Sequence, residues 1–125
     1  MYIPYNANPT DIDTNDCTIR AISTLLNQSW RQTYDDIVYL GRISYDMPSS
    51  DNVWGEYMFV NGFRRHVVPD TCPMCYSIRA FCRDNPRGRF LLKTSKHVVA
   101  VVDGNYYDTW DSGNEVPIYY WRKER

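Results

Sequence analysis

The sequence has no long hydrophobic run, because its longest fully apolar stretch is the short segment from Val98 to Val102. A membrane-spanning helix needs about 20 such residues, so we expect no membrane span. The first residues, Met1 to Asn6, are neither basic nor followed by an apolar segment. We therefore expect no secretory signal peptide. These absences favour a cytoplasmic location, in which cysteines are more often free thiols than disulfides.

The chain also lacks a large net charge and a glycine-rich phosphate loop. Its 14 Lys and Arg residues balance 15 Asp and Glu residues, which gives a net charge of −1. This balance argues against nucleic acid or an anionic membrane as a partner, and we expect no nucleotide or other cofactor. The 125 residues, 43% of them hydrophobic, are enough for one domain, residues 1–125, with a core of its own.

The hydrophobic pattern changes from helical spacing to strand-like runs along the chain. Helical spacing predicts helices over 16–28, 31–43 and 52–60, and a fourth that Asp70 or Thr71 caps, with Pro73 in its first turn. A short strand is predicted over 65–69, and four more over 89–93, 97–102, 106–110 and 116–121. Helices followed by an antiparallel meander of about four strands indicate the α+β class.

One cysteine stands at the start of the first predicted helix. Thr14, Asn15 and Asp16 precede Cys17 and are residue types that cap helices. A thiol on the first turn feels the positive end of the helix dipole, which favours the thiolate over the thiol. Cys17 is therefore a candidate nucleophile, provided that the rest of the chain supplies a base.

A candidate base opens the most apolar strand. His97 comes 80 residues after Cys17. If Gly104 and Asn105 form the next turn, Asp108 lies on the facing strand within a few residues of His97. A carboxylate bound to one imidazole nitrogen fixes the tautomer and leaves the other nitrogen for the thiol proton. Asp111 is the alternative to Asp108 as the third member of a Cys-His-Asp triad, because the sequence does not fix the pairing of the two strands.

Two blocks of sequence together resemble a known family. Thr14 to Ile22, combined with His97 to Gly104 and Tyr106 to Asp111, resembles the papain-like cysteine peptidases, and in particular small C39-like proteins of bacteriophages and prophages. The resemblance implies a papain-like fold in which N-terminal helices pack on a C-terminal antiparallel sheet. It further implies that Cys17 is the nucleophile, His97 the general base and then acid, and Asp108 the orienting residue.

The substrate that this resemblance implies is a peptide or protein, cleaved at a peptide or isopeptide bond. If the chain is encoded by a phage, its location is the host cytoplasm. Protease, amidase, deubiquitinase-like and transferase uses of the same thiol remain open, as does the oligomeric state.

The chain departs from the papain-like pattern at one position. These enzymes carry a Gln shortly before the cysteine that helps to hold the oxyanion, but here Gln28 and Gln32 both follow Cys17. Asn15 is the first candidate to replace it, ahead of Asn6 and Asn8. Losing one oxyanion donor typically lowers the rate by about 100- to 1,000-fold. The alternative is therefore a weak or inactive papain-like protein that binds and sequesters a host protein.

Three further cysteines offer a competing interpretation. Cys72 and Cys75 form a CxxC pair, and Cys82 and His66 are the nearest further ligands for a zinc ion. The usual second CxxC or HxxxH is missing. The spacing of Cys75 and Cys82 instead suits one face of the fourth helix, so we expect core packing and no metal.

Overall fold

The computed structural model describes residues 1–12, 14–69 and 74–124. These residues contain four helices: α1 (Cys17–Leu26), α2 (Trp30–Ser44), α3 (Asp51–Val60) and α4 (Ile78–Asp84). The first three confirm the predicted helices to within two residues. No helix in the described ranges is both long and apolar enough to cross a membrane.

The fourth helix begins later than predicted. Ser77 is its N-cap and accepts a hydrogen bond from the backbone N–H of Ala80 at 3.1 Å. Cys75 therefore precedes the helix, and the idea that it shares a helical face with Cys82 is wrong. The predicted caps Asp70 and Thr71, together with Pro73, lie outside the described residues.

The described strands form one mixed sheet. They are β1 (Tyr2–Pro4), β2 (Phe63–Val67), β3 (Arg89–Lys93), β4 (Val98–Val102), β5 (Asn105–Asp108) and β6 (Tyr119–Lys123), in the order β1-β5-β4-β3-β6-β2. The α+β class is confirmed. The expectation of about four antiparallel strands is wrong, because six strands are present and β1 runs parallel to β5. The last strand also returns beside β3 instead of extending the meander from β5.

The hairpin between β4 and β5 turns one residue earlier than predicted. Asp103 and Gly104 have φ angles of 50° and 78° and form the turn, so Val102 faces Asn105. Two consecutive positive φ angles are typical of a tight hairpin turn. The register is therefore displaced by two residues, which keeps every side chain on its predicted face. The displacement brings Asp108 closer to His97 along the facing strand.

The sheet separates two hydrophobic clusters. One contains residues of α1, α2 and α3, including the fully buried Ile22 and Trp54, together with Leu91 of β3. The other contains α4 and includes Ile78 and Val101. Because β4 contributes side chains to both clusters, it is buried on both faces, as its nearly all β-branched sequence predicts. The residue before β4 is consequently held in place by packing on both faces.

Candidate catalytic site

Cys17 is the first residue of α1, as the sequence predicts. Asp16 is the N-cap, but its side chain makes no capping hydrogen bond. The first amides of an α-helix have no partner within the helix and attract negative charge. With the Asp16 side chain directed elsewhere, this partial positive charge acts on the Cys17 sulfur and on any anion formed beside it.

The Asp16 carboxylate instead holds the neighbouring side chains. It is buried, with 6% of its surface exposed, and forms an ion pair with Arg20. Its Oδ2 also accepts hydrogen bonds from Trp30 Nε1 at 2.9 Å and from Asn8 Nδ2 at 3.1 Å. This network fixes the Arg20 guanidinium near Cys17, one helical turn along α1. Arg20 thereby adds a positive charge to the thiol's surroundings.

His97 lies between Cys17 and Asp108. Its Nε2 donates to Asp108 Oδ2 at 2.6 Å, and both side chains are largely buried. The ring also makes a hydrogen bond with the Cys17 side chain. Because Nε2 is taken by the carboxylate, Nδ1 is the nitrogen left for the thiol. The structure thus brings the three predicted residues together in the predicted order.

Asp111 lies away from this arrangement. Its carboxylate accepts hydrogen bonds from the hydroxyl of Tyr106, the backbone N–H of Gly113 and the guanidinium of Arg79. It makes no contact with His97 that would orient the ring. Asp111 therefore anchors a loop, and Asp108 is the carboxylate that the structure places on the imidazole.

The surroundings favour a charged thiolate and imidazolium. Burial acts to raise the pKa of the Cys17 thiol, but hydrogen bonds from His97 and from the N–H of Val98, with the charges of His97 and Arg20, lower it below its ordinary value. Burial acts to lower the pKa of His97, yet its hydrogen bonds to Asp108 and Cys17 raise it to about 9. At neutral pH the proton therefore resides on the ring.

A cleft of about 470 Å³ opens over the sulfur and the ring. Trp110 lies on its wall, and its ring packs on His97 with centroids 5.3 Å apart and planes tilted by 32°. Two basic residues, Arg20 and Lys96, also line the cleft, and the acidic residue Asp11 lines it as well. Cys17 and His97 therefore face a cleft that is open to solvent, while Trp110 covers one side of the imidazole.

The three asparagines proposed for the oxyanion differ in their positions. Asn15 is exposed and lines the cleft together with Cys17. Asn6 also lines the cleft, but its Nδ2 already donates to Asp11 Oδ1 at 2.8 Å. Asn8 is buried, and its amide is bonded to Asp16 and Thr10. Asn15 is thus the candidate with a side chain placed to face a substrate.

Three residues that contact or surround the Cys17, His97 and Asp108 side chains were not predicted from the sequence. Arg20 follows Cys17 by three residues, a spacing that puts both on one helical face and could have indicated it. Trp110 follows Asp108 by two residues, which within the predicted strand 106–110 is the spacing for a shared face. Ser112, whose hydroxyl donates to Asp108, falls in a segment that looks only like a turn, and no sequence signal marks it.

The zinc interpretation receives no support from the described residues. Among them, no group of three His, Cys, Asp or Glu side chains is arranged to hold a metal ion. Cys75 is exposed and Cys82 is buried, and burial raises the pKa of the Cys82 thiol to about 11. Cys72 lies outside the described residues.

Comparison of the chain with protein-family models, with curated proteins and with solved structures found no match. The chemistry of the cleft is therefore the basis on which a function is assigned.

Proposed function

We propose that the protein is a cysteine-dependent hydrolase of the papain-like type that cleaves a peptide or isopeptide bond. The observation that carries the proposal is the position of His97 between a thiol and a carboxylate. A helix N-terminus behind the sulfur and an open cleft in front of it add to this support. A cytoplasmic location, which keeps Cys17 reduced, suits this chemistry.

The first half of the reaction forms an acyl-enzyme. The Cys17 thiolate attacks the carbonyl carbon, and the carbonyl oxygen becomes an oxyanion beside the first amides of α1. The C–N bond then breaks, and the departing nitrogen takes the proton that His97 holds. The products of this half are a thioester on Cys17, a free amine and a neutral imidazole.

The second half returns the enzyme to its starting state. Neutral His97 takes a proton from a water molecule, whose oxygen attacks the thioester carbon. The C–S bond breaks, the acid leaves, and the thiolate and imidazolium re-form. Throughout both halves Asp108 holds the ring in one orientation and stabilises its positive charge, without itself gaining a proton.

The proposal is tested by alkylation of the cysteines with iodoacetamide between pH 5 and 9, followed by peptide mass spectrometry. Only the thiolate reacts, and an ordinary cysteine has a pKa of about 8.5. At pH 6 we therefore expect Cys17 to react at least about tenfold faster than Cys75, although Cys75 is the more exposed. The pH dependence of its alkylation rate should give an apparent pKa below that of an ordinary thiol.

Cys82 provides an internal control in the same samples, because burial raises the pKa of its thiol to about 11. It should stay almost unmodified at pH 6. If Cys17 reacts no faster than Cys75 and shows an ordinary thiol pKa, the proposed hydrolase function is wrong.

A second prediction concerns the missing glutamine. Replacing Asn15 by Ala should lower the kcat for peptide amides by about 100- to 1,000-fold, the usual effect of removing one oxyanion donor. The KM should change little, since the oxyanion exists only after attack. The measurement is steady-state hydrolysis of a library of fluorogenic peptide amides.

Asn6→Ala is the matched control, because Asn6 lines the same cleft but is bonded to Asp11. We expect it to retain most of the wild-type kcat. If Asn15→Ala retains the wild-type kcat as Asn6→Ala does, Asn15 is only a wall residue and the oxyanion is held without its side chain.

A further inference from the structure

Asp108 carries a second partner on the oxygen that binds His97. The Ser112 hydroxyl donates to Asp108 Oδ2 at 2.6 Å, and the residue has only 1% of its surface exposed. The other oxygen, Oδ1, accepts the backbone N–H of Thr109 at 2.8 Å. Both oxygens are thus held by donors from the segment just after β5, and the carboxylate is prevented from rotating about its Cβ–Cγ bond.

The loop that carries Ser112 is itself anchored to α4. The first two amides of α4, those of Ile78 and Arg79, donate to the carbonyls of Glu115 at 2.9 Å and Gly113 at 3.0 Å. The Arg79 guanidinium also donates to Asn114 Oδ1 at 2.6 Å and contacts Asp111. The loop that carries the Ser112 hydroxyl is therefore fixed by α4, the helix that packs in the second hydrophobic cluster.

Close packing at the next residue tightens this arrangement. A Cβ on Gly113 would collide with the hydroxyl of Tyr106 and the guanidinium of Arg79. Any larger residue at this position would therefore require the Tyr106 ring or the Arg79 guanidinium to move. This close packing seats the preceding residue, Ser112, against the end of β5.

We propose that Ser112 is a positioning residue for the reaction, the fourth member of a chain that runs from Cys17 through His97 and Asp108. The inference rests on the proposed function. The hydroxyl locks Asp108 Oδ2 at the point where it receives His97 Nε2. Without it Asp108 Oδ2 is held by His97 Nε2 alone, the ring is oriented less firmly, and Nδ1 points less steadily at the sulfur.

The experiment combines two measurements on wild type and Ser112→Ala. NMR titration of the two histidine rings follows His97, whose pKa Asp108 helps to raise to about 9. Iodoacetamide alkylation at pH 6 follows Cys17. In Ser112→Ala we expect the Cys17 rate to fall about tenfold, the usual effect of losing one hydrogen bond to a charged group, and the His97 pKa to shift by about one unit, which is the same tenfold change expressed as a titration.

Ser23→Ala is the matched control, because Ser23 is equally buried and its hydroxyl donates to the Ile19 carbonyl and to Thr33, away from the ring. It should leave both readouts at wild-type values. Ser112→Cys covers the case in which the alanine variant does not fold. It keeps nearly the same volume with a weaker donor, and the His97 pKa should again shift.

A folded Ser112→Ala or Ser112→Cys protein with the wild-type His97 pKa and Cys17 rate overturns the proposal. The two proposals fail in different ways. If wild-type Cys17 proves to have an ordinary thiol pKa, the hydrolase function fails. The shift of the His97 titration in the Ser112 variants still decides whether the serine positions the ring through Asp108.

Discussion

Replacing His97 by Ala is expected to lower the hydrolysis of peptide amides by roughly 10⁴-fold or more, as removal of the base does in comparable hydrolases. Two effects combine in this loss. The leaving amine no longer receives a proton, and the Cys17 thiol loses the hydrogen bond and charge that lower its pKa. With its burial unopposed by His97, the thiol should ionise at a higher pH than in the wild type. Alkylation at pH 6 should therefore fall together with turnover.

The chain offers a matched control in its other histidine. His66 lies on the edge strand β2, stacks on Tyr120 and faces Glu124 at 3.4 Å. His66→Ala removes an imidazole of the same size without touching the cleft and should retain wild-type turnover and alkylation. An His97→Ala protein that is folded and keeps its turnover would contradict the mechanism. Circular dichroism and thermal unfolding of both variants would show that they are folded.

Replacing Cys17 by Ala should abolish turnover, with a loss on the order of 10⁶-fold in kcat. No acyl-enzyme can form without the sulfur, and water alone must then attack the amide. The fold should tolerate the change, because Cys17 is only partly buried and Ala is smaller. The measurement is hydrolysis of fluorogenic peptide amides at high enzyme concentration, with Cys75→Ala as the control for an exposed thiol.

The same variant separates catalysis from binding. A hydrolase loses its biological effect with Cys17, whereas a protein that sequesters a host partner keeps it. Full effect in Cys17→Ala would therefore favour the binding protein that the missing upstream Gln suggested. Loss of effect, with the Cys75→Ala control intact, would support the hydrolase.

Local patterns in the sequence were enough to predict most of the elements. The apolar spacing around Ile22 and Ile37 predicts α1 and α2, and the run from Val98 to Val102 predicts the strand that is buried on both faces. Cys17 and His97 were identified for the same reason, since each stands at the boundary of a strongly patterned element. The site was thus predictable where it coincides with the ends of such elements.

The parts that could not be predicted depend on pairing between distant segments. The segment Tyr2–Pro4 becomes a strand only because β5 offers it an edge, and its own sequence is three residues long and ends in a proline, which suits a loop equally well. β6 could pair with either free edge of the β3-β4-β5 sheet, at β3 or at β5, and no local pattern in the sequence predicts that it pairs with β3. Ser112 reaches Asp108 because Arg79 and Tyr106 hold its loop, and these contacts exist only in the folded chain.

The register of the β4–β5 hairpin shows how an incorrect turn can still give a useful prediction. The turn residues are Asp103 and Gly104, so the predicted pairing was displaced by two residues. A displacement of one residue would have moved Asp108 to the opposite face of the sheet. A displacement of two residues keeps each side chain on the same face, so the prediction that Asp108 lies beside His97 is correct.

The large separation of Cys17 from His97 along the chain bears on when reactivity arises during biosynthesis. His97 and Asp108 belong to one local hairpin, which can form early, whereas closing the loop from α1 to β4 is a late and entropically costly step. Until α1 docks on the sheet, the thiol has no His97 beside it. A partly synthesised or misfolded chain therefore carries only an unactivated cysteine. In this mechanism the activated thiol forms only with the completed fold.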